Sequence, residues 1–147
     1  MEFFADRNLG RHVFPGVLRS AGLTVHVHDD HFPDDEPDES WLPEVAARGW
    51  IVLSSDRRIL TRPLQVEAAM TSGAAVLILV GGSMKAADRA QNLVNTYAKV
   101  ADFVAHHTPP YLAKLYRPTP VEAIQQGKPG SIEMALSFDE WRRRGDR

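Results

Sequence analysis

Short apolar runs alternate with helix-like stretches along most of this chain, and that alternation constrains the fold more than any other feature. Phe3-Phe4-Ala5 is a first strand-like run and ends at Asp6. Residues 10–21 read as a helix whose proper start lies near Pro15, with Val13, Phe14, Val17 and Leu18 on one face and Gly22 as a stop. A β-branched strand candidate follows at 23–28, then a loop at 33–37. Asp38-Glu39-Ser40-Trp41 opens a helix that runs to about Arg48, where Gly49 stops it. Residues 50–53 form a buried strand bounded by Ser54-Ser55-Asp56, and 63–72 form a helix opened by its proline. The most apolar strand, 74–80, turns out through Gly81-Gly82. A long helix over 84–106 carries Ala90, Leu93, Tyr97, Val100 and Val104 at helical spacing, and Pro109-Pro110 ends it before a last strand at 111–116. Strands joined by crossover helices predict a three-layer α/β/α domain with a mostly parallel sheet covered on both faces.

That domain is expected to occupy residues 1–117. Residues 118–147 change character: Pro118, Pro120, Gln125, Gln126, Gly127, Pro129 and Gly130 are loop-like. Ile132, Met134, Leu136 and Phe138 then alternate with Glu133, Ala135 and Ser137 before Trp141 and three arginines. This C-terminal tail is expected to add to a sheet edge, its own or a partner's, or to cover an apolar patch.

The chain of 147 residues has no cysteine, which excludes disulfides, thiolate metal sites and a cysteine nucleophile. Its longest apolar run, 74–80, is far too short for a membrane span. The start, MEFFADRN, lacks the basic patch and apolar core of a signal peptide, so a cytoplasmic protein without membrane association is expected. The net charge of -2 hides an asymmetry. Seven of the 19 acids lie within 29–39, and the remaining 12 face 17 lysines and arginines. Such a block is either a solvated loop or a cation site in a basic surround, an arrangement suited to a phosphate-bearing substrate.

Ligands of open parallel sheets gather at the carboxyl ends of strands. Asp6 ends the first strand, Asp29 and Asp30 the second, Asp56 the third, and Asp38 opens the helix after the second. Carboxylates that meet there repel and call for a cation. Hard oxygen ligands with room for water describe Mg²⁺ or Mn²⁺, which activates water and stabilises an oxyanion in phosphodiester cleavage. Each acid also has a plainer reading, Asp38 as a helix cap and Asp56 as a turn cap.

FFADRNLG, the Asp-Glu-Ser-Trp that follows the second strand, and WIVLSSDRRI resemble the PIN-like domains related to VapC toxins and the Mut7-C group. The resemblance covers residues 3–80 well and the stretch to Tyr116 more loosely, and Asp-Arg-Arg-Ile is its most specific part. It implies a metal-dependent ribonuclease in which Asp6, Asp38 and Asp56 are the catalytic, Mg- or Mn-binding acids. It further implies a toxin blocked by a small antitoxin, and a homodimer, to which Trp41, Leu42, Val45 and the long helix are expected to contribute apolar surface. RNA is the implied substrate, with Arg7, Asn8, Arg57 and Arg58 beside the acids as substrate-binding residues; Arg62, Lys85 and Arg89 lie at loop or helix starts nearby. The plainer readings are that Arg57 or Arg58 pairs with a carboxylate and that Asn8 stabilises a turn. One departure stands out. PIN nucleases carry a fourth acid after the fourth strand, where this chain has Val80-Gly81-Gly82-Ser83. A scaffold that binds RNA or protein without cleaving is therefore the alternative.

His26-Val27-His28-Asp29-Asp30-His31 resembles the H-x-H-x-D-H zinc motif of the metallo-β-lactamase fold. Downstream only His106 and His107 remain as further imidazoles, and the motif leads into Phe32-Pro33-Asp34-Asp35-Glu36-Pro37 rather than a glycine-opened helix. The plainer reading sets His26 and His28 on one strand face. No phosphate-cradling loop or G-x-S-x-G elbow is present.

Overall fold

The computed structural model describes residues 1–145. The elements follow the order β1 (Glu2–Ala5), α1 (Val13–Ser20), β2 (Thr24–Val27), α2 (Asp38–Ala47), β3 (Ile51–Ser54), α3 (Pro63–Ser72), β4 (Ala75–Leu79), α4 (Ala86–His106), β5 (Tyr111–Tyr116), β6 (Ser131–Ser137) and α5 (Phe138–Gly145). Six strands form one sheet in the order β2-β1-β3-β4-β5-β6, parallel except for β6, which runs antiparallel to β5. The three-layer α/β/α architecture expected from the alternation of runs is the one observed.

Strand alternation sends side chains to two cores. On one face Phe3, Ala5, Leu53, Leu77 and Leu79 meet Phe14 and Leu18 of α1 and Leu93 and Val100 of α4. On the other, Phe4, Val52, Val76 and Ile78 meet Trp41, Leu42 and Val45 of α2 and Val66 and Met70 of α3. Trp41, Leu42 and Val45 are buried within the chain, so these three side chains do not supply the apolar surface expected for pairing of two copies.

Several local expectations change. Val13, the first residue of α1, is exposed and does not join Phe14 and Leu18 in the core. Pro15 sits in the first turn of α1, where a missing N–H costs nothing. Pro37, not Asp38, occupies the cap position of α2, and Asp38 is its first residue. The tail segment forms the edge strand β6 on the chain's own sheet, and α5 lays Phe138 and Trp141 against the second core.

The sheet order places a topological switch between β1 and β3. After β1 the chain enters α1 on one face, and after β3 it enters α3 on the other, so the loops diverge and leave a crevice above these two strands.

Candidate active site

That crevice is a cavity of about 830 Å³ lined by Asp6, Arg7, Asn8, Asp38, Glu39, Ser55, Asp56, Arg58 and Gln65. Each side chain reaches it by a short local device. Asp6 caps the 3-10 turn Arg7–Leu9, and its Oδ1 accepts the Arg7 backbone N–H at 2.7 Å. Its own N–H pairs with Leu53 O at 3.0 Å, which fastens the end of β1 to β3. Asp56 caps a second 3-10 turn, Arg57–Leu60, and accepts the Arg58 backbone N–H at 3.0 Å. Asn8 clasps the two turns: it donates from Nδ2 to Ser54 Oγ (3.2 Å) and accepts the Ser55 N–H at Oδ1 (3.3 Å). Asp38 arrives from the start of α2.

The three aspartates do not share one electrostatic state. Burial raises Asp6 above the ordinary 3.8; the Arg7 N–H pulls it back, and the nearby Asp38 charge raises it further. Burial also raises Asp38, against a pull downward from Trp41, whose buried indole N–H has no well-formed hydrogen bond of its own. Asp56 is lowered, because Arg58 donates from Nε to Oδ1 at 3.0 Å and from Nη2 to Oδ2 at 3.4 Å. Asp6 and Asp38 are thus a repelling, half-desolvated pair, whereas Asp56 already has its cation. Among the described residues, no group of three or more His, Asp or Glu side chains forms a ready metal cluster. The donor set nevertheless suits a hard divalent cation. It offers carboxylate oxygens around a roomy polar cavity, with Asp6 and Asp38 both raised by burial, and Asp56 would join on leaving Arg58.

Of the four substrate-binding candidates, Arg7, Asn8 and Arg58 line the cavity and Arg57 does not. Arg57 stands instead within electrostatic range of Tyr116 at the end of β5. Three lining residues were not singled out from the sequence: Glu39, Ser55 and Gln65. Glu39 supplies a fourth acid from a different place than the end of β4, and its signal was its position directly after Asp38 in a helix-opening acidic pair. His28 was read as a strand-face residue. It is fully buried against Phe4, Phe32 and Trp41, its Nε2 has no partner, and its charge would lower both Asp6 and Asp38.

Of the histidines of the H-x-H-x-D-H string, His26 and His31 meet edge to face with ring centroids 5.4 Å apart, and His28 lies apart from them in the core. The His26 ring stacks on Trp50 at 3.6 Å and bonds Glu2 at 3.0 Å, His31 stands edge-on to the same Trp50, and His28 turns into the core. They contribute to no metal cluster among the described residues.

The family profile described as "PIN like domain" matches residues 1–81, which include all three aspartates. This chain belongs to the PIN-like domain family. It is similar to the "Putative ribonuclease VapC45" of Mycobacterium tuberculosis (strain ATCC 25618 / H37Rv), with 24% identity over 102 residues, covering 67% of this chain and 74% of that protein. No solved structure matches the chain at a significant level. No helix among the described residues of this PIN-like protein is long and apolar enough to cross a membrane.

Proposed function

We propose that this PIN-like protein is a Mg- or Mn-dependent endoribonuclease that cleaves single-stranded RNA, the toxin of a toxin–antitoxin pair acting in the cytoplasm. The carrying observation is the convergence of Asp6, Asp38 and Asp56 on one cavity at the switch point, with burial raising Asp6 and Asp38. A bound divalent cation would supply an activated water and charge stabilisation at the phosphodiester. Asp6 and Asp38 would hold it, and Asp56 would join on exchanging Arg58 for it. Arg58, so released, and Arg7 would bind the phosphate oxygens. Asn8, with both ends of its amide engaged, would keep the two aspartate-bearing turns in register. Glu39 adds a carboxylate at the rim. The antitoxin and the pairing of two copies rest on likeness to the VapC-type relative and the PIN-like family; a light-scattering mass of one chain at tens of micromolar overturns the pairing.

The test is cleavage of single-stranded RNA with Mg²⁺ or Mn²⁺. Asp6→Asn should reduce the rate at least about a hundredfold. Mn²⁺ titration is the second readout: unchanged affinity in Asp6→Asn, Asp38→Asn and Asp56→Asn alike removes the shared cation site. One observation favours the second reading, an RNA- or protein-binding scaffold without cleavage: Asp56 is already neutralised by Arg58. RNA binding with no cleavage in either metal selects it.

A further inference from the structure

The stretch of sheet edge beside the acid cavity carries the opposite charge. β4 leaves the sheet through Gly81-Gly82, and two arginine side chains come to that turn from different elements. Arg89, in the first turn of α4, donates from Nη2 to Gly82 O at 2.9 Å. Arg117, just past β5, has its Cδ 3.8 Å from where a Cβ on Gly81 would stand, and it donates from Nη1 to Pro118 O at 3.1 Å. Among the described residues neither has a carboxylate within ion-pair distance. Arg89 Nε is buried without a hydrogen-bond partner, and the same burial disfavours its charge. Arg57 stands within electrostatic range of Tyr116, whose hydroxyl donates to Glu133 at 2.7 Å.

A half-buried guanidinium with one buried, unused N–H and no counter-charge is an arrangement that an anion completes. The turn beneath it is bare backbone. A Cβ at Gly81 would strike the end of Met84 at 2.5 Å, and Gly82 holds a positive φ of 60°. The strand order sets this turn one strand from Asp56 and two from Asp6, about 5 to 10 Å along the edge at ordinary strand spacing. Between them, Arg57 lies within electrostatic range of Tyr116 and Arg58 lines the acid cavity.

We propose that Arg89 and Arg117 at the Gly81-Gly82 turn, supported by Arg57, form a phosphate subsite that holds the RNA strand beside the bond positioned at the acid cavity. The inference rests on the nuclease reading for its choice of RNA. RNA is chosen over an acidic protein segment because the nuclease reading would set a phosphodiester strand at the acid cavity on the same edge.

The test is binding of full-length protein to a fluorescent single-stranded RNA of about twelve nucleotides, in EDTA, over a range of salt. Arg89→Gln and Arg117→Gln should each weaken binding about three- to tenfold. Together they should reduce the slope of log Kd against log salt by about 1.4, at about 0.7 per lost contact on a single strand. Arg89→Lys with Arg117→Lys should keep most of the slope. If the double Gln variant does not fold, Arg57→Gln, exposed and outside both cores, should still lower the slope by about 0.7. Unchanged affinity and slope overturn the subsite, as does wild-type protein that binds no RNA. Competition by polyglutamate equal to that by unlabelled RNA overturns it in favour of an acidic protein partner. Cleavage by wild-type protein with Mn²⁺ judges the nuclease reading separately. Arginine-dependent binding without cleavage removes that reading and leaves the subsite; cleavage with arginine-independent binding removes the subsite alone.

Discussion

The carboxyl edge of the sheet has two halves built from the same parallel strands and opposite in almost every other respect. Above β1 and β3 the chain leaves through short 3-10 turns capped by Asp6 and Asp56, and the two turns are joined by Asn8 and by the Asp6 N–H on Leu53 O. Above β4 and β5 the bases gather, and the chain beyond β5 is clamped onto α4 by a buried polar network. Asn92 donates to Tyr116 O at 3.2 Å, Thr96 Oγ1 accepts the Gly130 N–H at 2.9 Å, and Lys99 donates to Gly130 O at 2.9 Å. The acid half carries its charge on two turns joined by backbone and Asn8, and the basic half carries it on a segment clamped to α4. A parallel sheet thus provides a row of positions without deciding what they bind. Charge and local clamping decide that, strand by strand.

The largest expected effect strikes the firm half. A Cβ on Gly130 would drive into Tyr116 O and Asn92 Oδ1, both held in place. Gly130→Ala should therefore cost about 3 kcal/mol, read as a lower urea midpoint; an unaltered midpoint would mean that the clamp yields as easily as the acid half. A smaller effect sharpens the account of the acid half. If Arg58 holds Asp56 away from a cation, Arg58→Gln should tighten Mn²⁺ binding about three- to tenfold, whereas equal or weaker affinity shows that the pair does not compete with metal.

The smallest effects separate the aspartates from one another. Burial raises the folded pKa of Asp6 and Asp38 above 3.8, so the folded chain holds these protons more tightly than the unfolded one. Stability then falls as pH rises from 3.8 through the raised values, and the penalty is fully present at neutral pH. Asp56 has the opposite sign: Arg58 lowers its folded pKa, so its contribution is present above 3.8 and disappears as pH drops through the lowered value. In EDTA at pH 7, Asp6→Asn should stabilise the protein by up to about 1 kcal/mol and Asp56→Asn should destabilise it by about 0.2–1 kcal/mol. Thermal melts of the two variants check this, and shifts of the same sign would erase the distinction.

Much of this arrangement can be read before any folding is considered. The apolar period of α4, the all-buried β4 and the aspartates at the ends of β1 and β3 announce a covered parallel sheet with acids along its carboxyl edge, because period and strand-end position are local properties of the chain. Local pattern could not say that Trp41, Leu42 and Val45 are spent inside one copy, since their burial depends on α2 lying against α3 across Phe4 and Val52. Nor could it tell Arg57 from Arg58. Adjacent in sequence, they part at a 3-10 turn whose direction is set by how Asp56 caps it and by which strands stand on either side. Glu39 was hidden for a related reason: its place at the cavity follows from where α2 begins over the crevice. The chain's own order of residues therefore determined the elements, the parallel sheet and the acids that could meet. Only the tertiary structure decided that β6 closes the sheet on its own edge, which acids repel and which is already paired, and that two arginines 28 positions apart converge on one glycine turn. Those outcomes depend on packing and charge between segments distant in sequence, which no local period records.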